Sequence, residues 1–421
     1  MEMIYLCFFI YIVIELCYYV HVHYFLLHSS QYPSQKRPKI AFDDPIKLWK
    51  KGTKILYNLK NYSIDSFFRK SFLTEHKIFH TKNIFNDILS VFLYGSHYEN
   101  ITPDEKNTVI QFRDELTEKT KYELFEHDLF CKNHICKFIL SPIELSHIPF
   151  AVYFVFYLLD IYSWLILHSH GFRIKTTSVG IRYWYRKGTA PKNDKIPPIL
   201  YIHGIAISHY NNFILNIDRE RTIIFMENRF VKVQAFHFDV PDPTTYNLAV
   251  TEILATHNIE KVSVISNSWG TYISTWIVKL NPHIISHLTM IEPITISIFL
   301  PDTIYAMLYE APTTWVQYFT KYIIRNDLGF RNVLHRNVEW YNICLFLDEI
   351  PEHIGVLFCL SGDDEFLDCQ LATEIITPFM DERNKTSGNV KLLTLHDSKH
   401  SDTVCRKKHI NKILVALNMN E

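Results

Sequence analysis

The segment 262–271, Val-Ser-Val-Ile-Ser-Asn-Ser-Trp-Gly-Thr, constrains the fold of this chain more than any other stretch. Its β-branched start predicts a short buried strand, and the residues after Gly270 have the spacing of a helix. The Ser-x-Ser-x-Gly between them predicts a tight turn that presents Ser268. A helix N-terminus beside that hydroxyl would stabilise developing negative charge. Ser266 and Gly270 flank this predicted nucleophile, and Ser266 stands where glycine is usual.

Composition limits the class of protein. The 421 residues exceed one ordinary domain of roughly 100–200 residues. The formal net charge of −1 supplies no field that would attract nucleic acid, so we expect no nucleic-acid partner. The eight cysteines have no regular spacing, which disfavours a disulfide framework. Cys131, His134 and Cys136 are close in sequence, but no second ligand pair follows at zinc-site spacing, so we predict no bound metal.

Residues 1–30 are predicted to form a transmembrane or anchor segment. The run from Met3 to Leu27 is almost continuously apolar, and about 20 such residues span a bilayer. Glu15 interrupts it at a cost of a few kcal/mol. No basic residue precedes the run, which disfavours a cleaved signal peptide. Basic residues follow it, and this asymmetry predicts that the rest of the chain lies on the cytosolic side of a membrane.

Two segments separate this anchor from the strand-rich part of the chain. Residues 31–148 have apolar residues at helical spacing and nothing that indicates chemistry, so we predict a helical linker region. Residues 149–170 form a second apolar run, which Asp160 interrupts. A buried or interfacial helix is favoured there over a second membrane span.

Residues 171–421 alternate between strand and helix signals. Strands are predicted at 173–185, 197–202, 230–238, 262–265, 287–291, 354–360 and 392–395, and helices at 244–258, 270–280 and 406–417. This alternation predicts an α/β fold, in which a mostly parallel sheet is covered by helices on both faces. Reactive groups in such folds gather at the carboxyl ends of the strands.

The strand predicted at 197–202 leads into His203 and Gly204. Gly204 would let the backbone turn so that an N–H, expected to be that of Ile205, points into the site. Together with the N–H of Trp269, it would form an oxyanion hole, in which each donor contributes about 3 kcal/mol to catalysis.

An acidic turn, Asp363-Asp364-Glu365, follows the strand predicted at 354–360. A carboxylate there would orient a catalytic imidazole and stabilise its charged form. Asp364 is the preferred acid and Asp363 the second choice. Glu292, after the preceding strand, is an alternative acid, and a solvated acidic turn without function is the simpler interpretation.

Two histidines follow the last predicted strand. His400 precedes a small residue and a helix, which suits a loop that reaches back to the serine, and His396 is the second candidate for the base. The order Ser268, Asp364, His400 across successive strand ends is the order found in α/β-hydrolases.

Residues 294–353 are rich in aromatic side chains and have no strand pattern. An insertion at this point would form a helical cap over the site, and an apolar cap would favour an acyl or lipid-like substrate. An ordinary packed helical subdomain explains the pattern equally well.

The chain resembles proteins of the α/β-hydrolase fold and, more narrowly, membrane-associated fungal-type α/β-hydrolases, including those of microsporidia. The resemblance lies in the segments 180–185, 198–206, 262–271, 292–294, 300–305 and 360–365. It implies an α/β-hydrolase domain over residues 171–421 with a cap insertion, and a serine hydrolase that needs no cofactor.

We therefore hypothesise a membrane-associated serine hydrolase that cleaves an acyl ester, such as that of a lipid. Ser268 would attack the carbonyl, His400 would accept and return the proton, and Asp364 would orient His400. Two alternatives remain open. One is a catalytically silent hydrolase fold that acts as a membrane interaction module, and the other is an acyltransferase that uses the same three residues.

Overall fold

The computed structural model describes residues 2–28, 44–74, 77, 80–126, 143–189, 196–205, 210–235, 240–337 and 339–418. Cys131, His134 and Cys136 lie outside these residues. The described part of the chain contains one large sheet, helices on both of its faces, a helical insertion and an N-terminal helical layer.

Eight strands form a single sheet in the order β1-β2-β4-β3-β5-β6-β7-β8. Their bounds are β1 Arg173–Thr176, β2 Arg182–Arg186, β3 Ile199–Ile202, β4 Ile223–Met226, β5 Val262–Asn267, β6 Ile285–Ile291, β7 Gly355–Ser361 and β8 Val390–Leu395. β2 runs antiparallel to β1 and β4, and the other neighbouring pairs are parallel. Strands β3, β4, β5 and β7 are buried along their whole length, as continuous apolar runs predict for strands covered on both faces.

The strand predicted at 230–238 is wrong for residues 230–235, and residues 236–238 lie outside the described residues. The strand that pairs with β2 and β3 is Ile223–Met226, whose four residues are all buried. Residues 229–231 instead form one turn of 3-10 helix after that strand. The alternating pattern arises because Val233 packs into the core from this connection, while Lys232 beside it forms ion pairs.

The helices in the described residues are, in chain order, α1 Glu2–His28, α2 Pro45–Asn58, α3 Ile64–Phe72, α4 Lys82–Tyr94, α5 Pro103–Thr120, α6 Phe150–Ser169, α7 Asn211–Asn216, α8 Pro243–Thr256, α9 Gly270–Leu280, α10 Asp302–Leu308, α11 Trp315–Asn326, α12 Leu328–Asn332, α13 Trp340–Ile343, α14 Cys369–Asn384, α15 Asp402–Cys405 and α16 Lys407–Asn418. They fall into four groups by position. Two groups cover the sheet, one is inserted between β6 and β7, and one precedes the sheet in the chain.

Helices cover both faces of the sheet. Successive residues of a strand point to opposite faces, and apolar residues on each face pack against helices. Along β3, Leu200 and Ile202 pack into one hydrophobic cluster, while Ile199 and Tyr201 pack into another. The first cluster includes residues of α8, α9 and α14, and the second includes residues of α7 and α16. The predicted two-sided α/β arrangement is therefore confirmed.

Helices α2 to α5 form a layer whose helix starts are encoded locally. Each helix begins after a residue whose side chain accepts a backbone N–H of the first turn: Asp44, Ser63, Thr81 and Thr102. Thr102 also forms a reciprocal capping box with Glu105. Such caps each stabilise a helix by about 1 kcal/mol, so the sequence defines these four starts.

This layer docks on the insertion between β6 and β7, which contains α10 to α13 and lies within the interval 294–353. Trp340 of α13 donates its Nε1–H to the backbone oxygen of Phe92 at 2.8 Å, and the two rings stack with centroids 4.3 Å apart. Tyr62 and Lys70 of the layer both contact the carboxylate of Asp302 in α10. Within the described residues, the layer thus covers the insertion.

Two helices in the described residues are long and apolar enough to cross a membrane, namely Met3–Leu26 within α1 and Phe150–Ser169, which is α6. Glu15 of α1 connects them. Its carboxylate accepts the backbone N–H of Phe150 at 2.9 Å and lies 2.6 Å from His147 Nε2. The charge that interrupts the first apolar run therefore attaches α1 to the start of α6.

Helix α6 lies on the surface of the sheet domain and is held there along one face. Asp160 forms a 2.7 Å ion pair with Lys232, Ser163 Oγ accepts from Asn211 Nδ2 at 3.0 Å, and Leu167 is fully buried. These α6 residues are three and four positions apart and so share one face. The exposed residues of α6 before His168 are apolar or aromatic and include Phe154, Val155, Tyr157, Leu158, Tyr162, Trp164 and Leu165.

Candidate active site

The turn after β5 holds Ser268 in a strained backbone conformation. Ser268 has φ +49°, in the left-handed region that costs a non-glycine residue about 1–2 kcal/mol. Its backbone N–H donates to the oxygen of Ile291 at 2.9 Å, and its own backbone oxygen accepts the N–H of Thr271 at 2.9 Å. Strain of this kind concentrates at functional sites, where the surrounding structure holds it in place.

The small residues that flank Ser268 explain why this turn closes. A Cβ on Gly270 would lie 2.2 Å from the backbone oxygen of Ile202, so a larger residue would push α9 away from β3. Ser266 is fully buried, and its Oγ lies 2.9 Å from Ser274 Oγ in α9. A serine at the usual glycine position is tolerated because another small polar residue faces it.

Three of the residues selected from the sequence form a continuous hydrogen-bonded chain. Ser268 Oγ lies 2.8 Å from His400 Nε2, and His400 Nδ1 lies 2.7 Å from Asp364 Oδ2. The other Asp364 oxygen accepts the backbone N–H groups of Phe366 and Leu367 at 2.8 and 2.9 Å. Because a carboxylate only accepts hydrogen bonds, the neutral form of His400 carries its proton on Nδ1, and in that form Nε2 accepts from Ser268.

The second carboxylate near His400 is Glu292, which has φ +50° and is fully buried. Its Oε2 lies 3.6 Å from His400 Nδ1. Its two oxygens accept hydrogen bonds from four neighbouring residues: Ser361, Thr403, Asn267 and Ser401. Glu292 therefore connects the ends of β5 and β7 with the loop that carries His400.

The charges of this cluster favour a protonated imidazole. Burial alone would lower the pKa of His400, but the carboxylates of Asp364 and Glu292 outweigh burial and raise it above the ordinary value of about 6.5. Burial also raises the pKa of Glu292, an effect that the nearby His400 partly offsets. The arrangement therefore stabilises the imidazolium that forms when His400 accepts a proton from a nucleophile.

The other candidate acid and base are placed differently. Asp363 is exposed, and its backbone N–H donates to Ser398. His396 is also exposed, and its backbone packs against Gly362. The structure thus joins Ser268 to His400 and Asp364, with Glu292 behind them, and leaves Asp363 and His396 at the surface.

The His203–Gly204 turn lies directly against Ser268. A Cβ on Gly204 would be 3.1 Å from the Cβ of Ser268 and 2.7 Å from the Tyr210 hydroxyl, so a larger residue would require the buried Tyr210 side chain to shift. His203 Nε2 accepts the backbone N–H of Asn228 at 2.9 Å, and its Nδ1–H donates to the Gly204 oxygen at 2.6 Å. Burial lowers the pKa of His203 to about 4, so it remains neutral and supports the turn.

The two expected oxyanion donors border this turn and the elbow. Ile205 directly follows Gly204, and Trp269 directly follows Ser268. Among the described residues, neither backbone N–H donates to a protein acceptor. That these two N–H groups bind the oxygen of a ligand stays a prediction.

The side chains of Ser268 and His400 are shielded from solvent. Ser268 is 2% exposed and the His400 side chain 7% exposed. The edge of the Phe366 ring packs against the His400 imidazole, with centroids 5.0 Å apart. Exclusion of water strengthens every hydrogen bond and charge interaction in such a site.

A metal ion would have to compete for atoms that are already bonded. Glu292, Asp364 and His400 each present a ligating atom within 4.8 Å of the others. These atoms already bond to one another or to Ser268 and to the loop residues around them. The set therefore suits proton transfer better than metal coordination.

Sequence reasoning missed the polar residues that surround Glu292. Asn267 ends a fully buried strand, and a polar residue at such a position is the one sequence signal for this network. Ser361 ends β7 in the same way. Ser401, in the loop before α15, and Thr403, within α15, carry no sequence pattern that marks them as partners of Glu292.

The strand order, the antiparallel β2, and the strained serine between β5 and α9 together define the α/β-hydrolase fold. The fold class predicted from the sequence is thus confirmed. No protein-family model matches the sequence, and no curated protein matches it.

Solved structures with a similar fold include three ester hydrolases. A bacterial membrane phospholipase A, described as a virulence factor, is 14% identical, with 64% of this chain and 94% of that chain covered and a TM-score of 0.42. Carboxylesterase CesB from Bacillus subtilis is 10% identical, with 64% and 98% covered and a TM-score of 0.41. Naproxen esterase from Bacillus subtilis is 12% identical, with 65% and 99% covered and a TM-score of 0.40.

Proposed function

We propose that this chain is a serine hydrolase that cleaves an acyl ester through a covalent acyl-enzyme. The observation that carries the proposal is the chain of hydrogen bonds from Ser268 through His400 to Asp364, at 2.8 and 2.7 Å. Groups in this arrangement activate a hydroxyl that is a weak nucleophile by itself.

The reaction would proceed in two steps. Ser268 Oγ attacks the acyl carbonyl while His400 Nε2 takes its proton, and the Ile205 and Trp269 N–H groups bind the oxyanion. His400 then returns the proton to the departing alcohol, which leaves an ester on Ser268. Water attacks that ester with His400 again as base, and the acid and free enzyme are released. Asp364 keeps the His400 proton on Nδ1 throughout.

We further propose that the enzyme acts at a membrane on a lipid or another acylated substrate. The exposed apolar face of α6, which is held to the domain through Asp160, supports an interfacial position for that helix. The length and composition of α1 support a membrane anchor. The segments described above also support a relationship to membrane-associated fungal-type α/β-hydrolases, including those of microsporidia.

Covalent labelling tests the nucleophile. Full-length protein in phosphatidylcholine vesicles would be treated with a fluorophosphonate, whose phosphorus a reactive serine attacks with loss of fluoride. We expect labelling of the wild type, none of Ser268→Ala, and retained labelling of the neighbouring variant Ser266→Ala. If folded wild-type protein is not labelled, or Ser268→Ala is labelled equally, the proposal is wrong and a silent interaction module becomes the better interpretation.

Alkaline carbonate extraction tests the membrane assignment. We expect the full-length chain to stay with the membrane pellet, and its release into the supernatant would contradict the anchor. Three Asn-x-Ser/Thr sequences, at Asn61, Asn100 and Asn384, test the orientation. Attached N-glycans on the native protein would contradict a cytosolic catalytic domain.

A further inference from the structure

A cavity of about 770 Å³ lies between α6 and the residues that follow β4. Its walls are mostly apolar and include Phe154, Tyr157 and Trp164 of α6 and Trp184 of β2. This volume is within the range of about 300–1,000 Å³ that is typical of pockets for small ligands. Neither Ser268 nor His400 lines it, so the cavity is distinct from the candidate active site.

The polar side of the cavity contains more positive than negative charge. Lys232 pairs with Asp160 at 2.7 Å and with Glu227 at 3.2 Å, and Arg182 pairs with Glu227 at 2.6 Å. Arg229 also lines the cavity, and the ion pairs of Asp160 and Glu227 within the described residues are with Lys232 and Arg182 instead. Among the described residues that line the cavity, two carboxylates thus face three cations, and Arg229 carries the charge that exceeds the two ion-paired cations.

The apolar side of the cavity continues onto the surface of the protein. Phe154 is 51% exposed, Tyr157 60% and Trp164 43%, although each also lines the cavity. A contiguous exposed apolar surface indicates a contact with a ligand, a partner or a membrane. A ligand held here would have an apolar part along α6 and a negative group at Arg229.

We propose that this cavity binds one amphiphile, with its acyl chain along α6 and its acidic headgroup at Arg229. Charge complementarity favours an acidic lipid over a neutral one. An anion at Arg229 would neutralise the positive charge that remains after the two carboxylates of the cavity have formed their ion pairs. Fatty acids and lysophosphatidic acids share this chemistry. The site does not depend on the proposed reaction, because no residue of the Ser268 chain lines it.

Displacement of a fluorescent fatty acid tests this site. Full-length protein in detergent would be saturated with 11-(dansylamino)undecanoic acid, and oleate, oleoyl lysophosphatidate and oleyl alcohol would be compared as competitors. We expect both acids to displace the probe at concentrations at least about tenfold lower than oleyl alcohol does, because only the acids can form a charged hydrogen bond with Arg229. The relative strength of the two acids identifies the preferred headgroup.

Variants separate this site from the candidate active site. Arg229→Gln should weaken binding of the probe at least about tenfold, and Arg229→Lys should retain most of it. Arg219→Gln, which removes an exposed arginine that does not line the cavity, is the matched control and should bind like the wild type. Ser268→Ala should also bind like the wild type even if the proposed reaction is wrong.

Three results would overturn the inference. They are equal competition by oleyl alcohol and oleate, unchanged binding by a folded Arg229→Gln variant, and loss of binding in Ser268→Ala. The last result would show that the probe occupies the candidate active site instead of the cavity beside α6.

Discussion

The backbone N–H of Ser401 is shared between the two carboxylate oxygens of Glu292, at 2.9 and 3.0 Å. Both residues have left-handed backbone conformations, with φ +69° for Ser401 and +50° for Glu292. These hydrogen bonds therefore help to hold both residues in their strained conformations. Because His400 directly precedes Ser401, Glu292 fixes the loop that carries the imidazole as well as contributing charge to it.

Replacing Glu292 with Gln should move the pH dependence of hydrolysis. Only neutral His400 can accept a proton, so kcat/KM rises as pH increases through the His400 pKa. The carboxylate of Glu292 helps to raise that pKa, so removing its negative charge should lower the pKa of His400. The acid limb of the kcat/KM profile for a p-nitrophenyl ester should therefore shift to lower pH.

The exposed Asp363→Asn variant is the control for this shift, because Asp363 does not contact His400. Its acid limb should coincide with that of the wild type. An unshifted limb in Glu292→Gln would mean that Glu292 acts only as a structural support.

Two adjacent aspartates should differ sharply in their effect on the rate. Asp364→Asn removes the carboxylate that keeps the His400 proton on Nδ1, and we expect a loss in kcat on the order of 10³–10⁴-fold. Asp363→Asn changes an exposed side chain and should leave kcat within about twofold of wild type. Steady-state ester hydrolysis measures both, and comparable losses in the two variants would refute the assignment of Asp364.

A methyl group at Gly270 should disrupt the turn that presents Ser268. The added Cβ in Gly270→Ala would lie 2.2 Å from the Ile202 oxygen and 2.9 Å from the His203 oxygen, and both are backbone atoms that cannot rotate away. We expect a loss of several kcal/mol in the free energy of unfolding, by comparison with about 1–3 kcal/mol for ordinary overpacking.

Gly171→Ala provides the matched comparison. Gly171 has φ +87°, but a Cβ there meets no atom within 4 Å, so only backbone strain of about 1–2 kcal/mol is expected. Thermal or denaturant unfolding would rank the two variants. A smaller loss for Gly270→Ala than for Gly171→Ala would show that α9 can move away from β3.

The buried His203 should make the protein less stable in mild acid. Burial lowers the pKa of His203 to about 4 in the folded protein, whereas an unfolded chain has an imidazole pKa of about 6.5. Between these values the unfolded state binds more protons, so the free energy of unfolding should fall as pH drops from about 6.5 to about 4. The loss from this group should total about 3 kcal/mol and be absent above pH 6.5 or so.

Denaturant unfolding between those pH values checks the effect of His203. His203→Gln keeps an acceptor for the Asn228 N–H but cannot be protonated. Its free energy of unfolding should fall less steeply with decreasing pH than that of the wild type. Equal slopes for the two proteins would assign the acid sensitivity to other groups.

The sequence predicted the elements that have strong local signals. The bounds of α9 agree with the prediction at 270–280, because a helical pattern starts directly after a glycine turn. The strands β5, β6 and β7 were predicted from buried apolar runs, and their ends carry Ser268, Glu292 and the acidic turn. Local pattern and strand-end chemistry were sufficient to select these residues.

What the sequence did not determine depends on contacts between distant segments. β4 lies beside β2 and β3 through pairing that periodicity does not encode, and the apolar alternation at 230–238 was mistaken for that strand. Whether Asp363 or Asp364 faces His400 depends on the backbone path of one turn. The role of Glu292 required the positions of residues from four segments of the chain.

The docking of the N-terminal layer on the insertion has a consequence for biosynthesis. Phe92 and Trp340 are 248 positions apart, and Tyr62 and Asp302 are 240 apart. At about 5–20 residues per second, the ribosome needs roughly 10–50 s to make the second member of each pair after the first. During that time the insertion is not yet available to cover the apolar side of α2 to α5, so this surface stays uncovered by its native partner until translation passes α13.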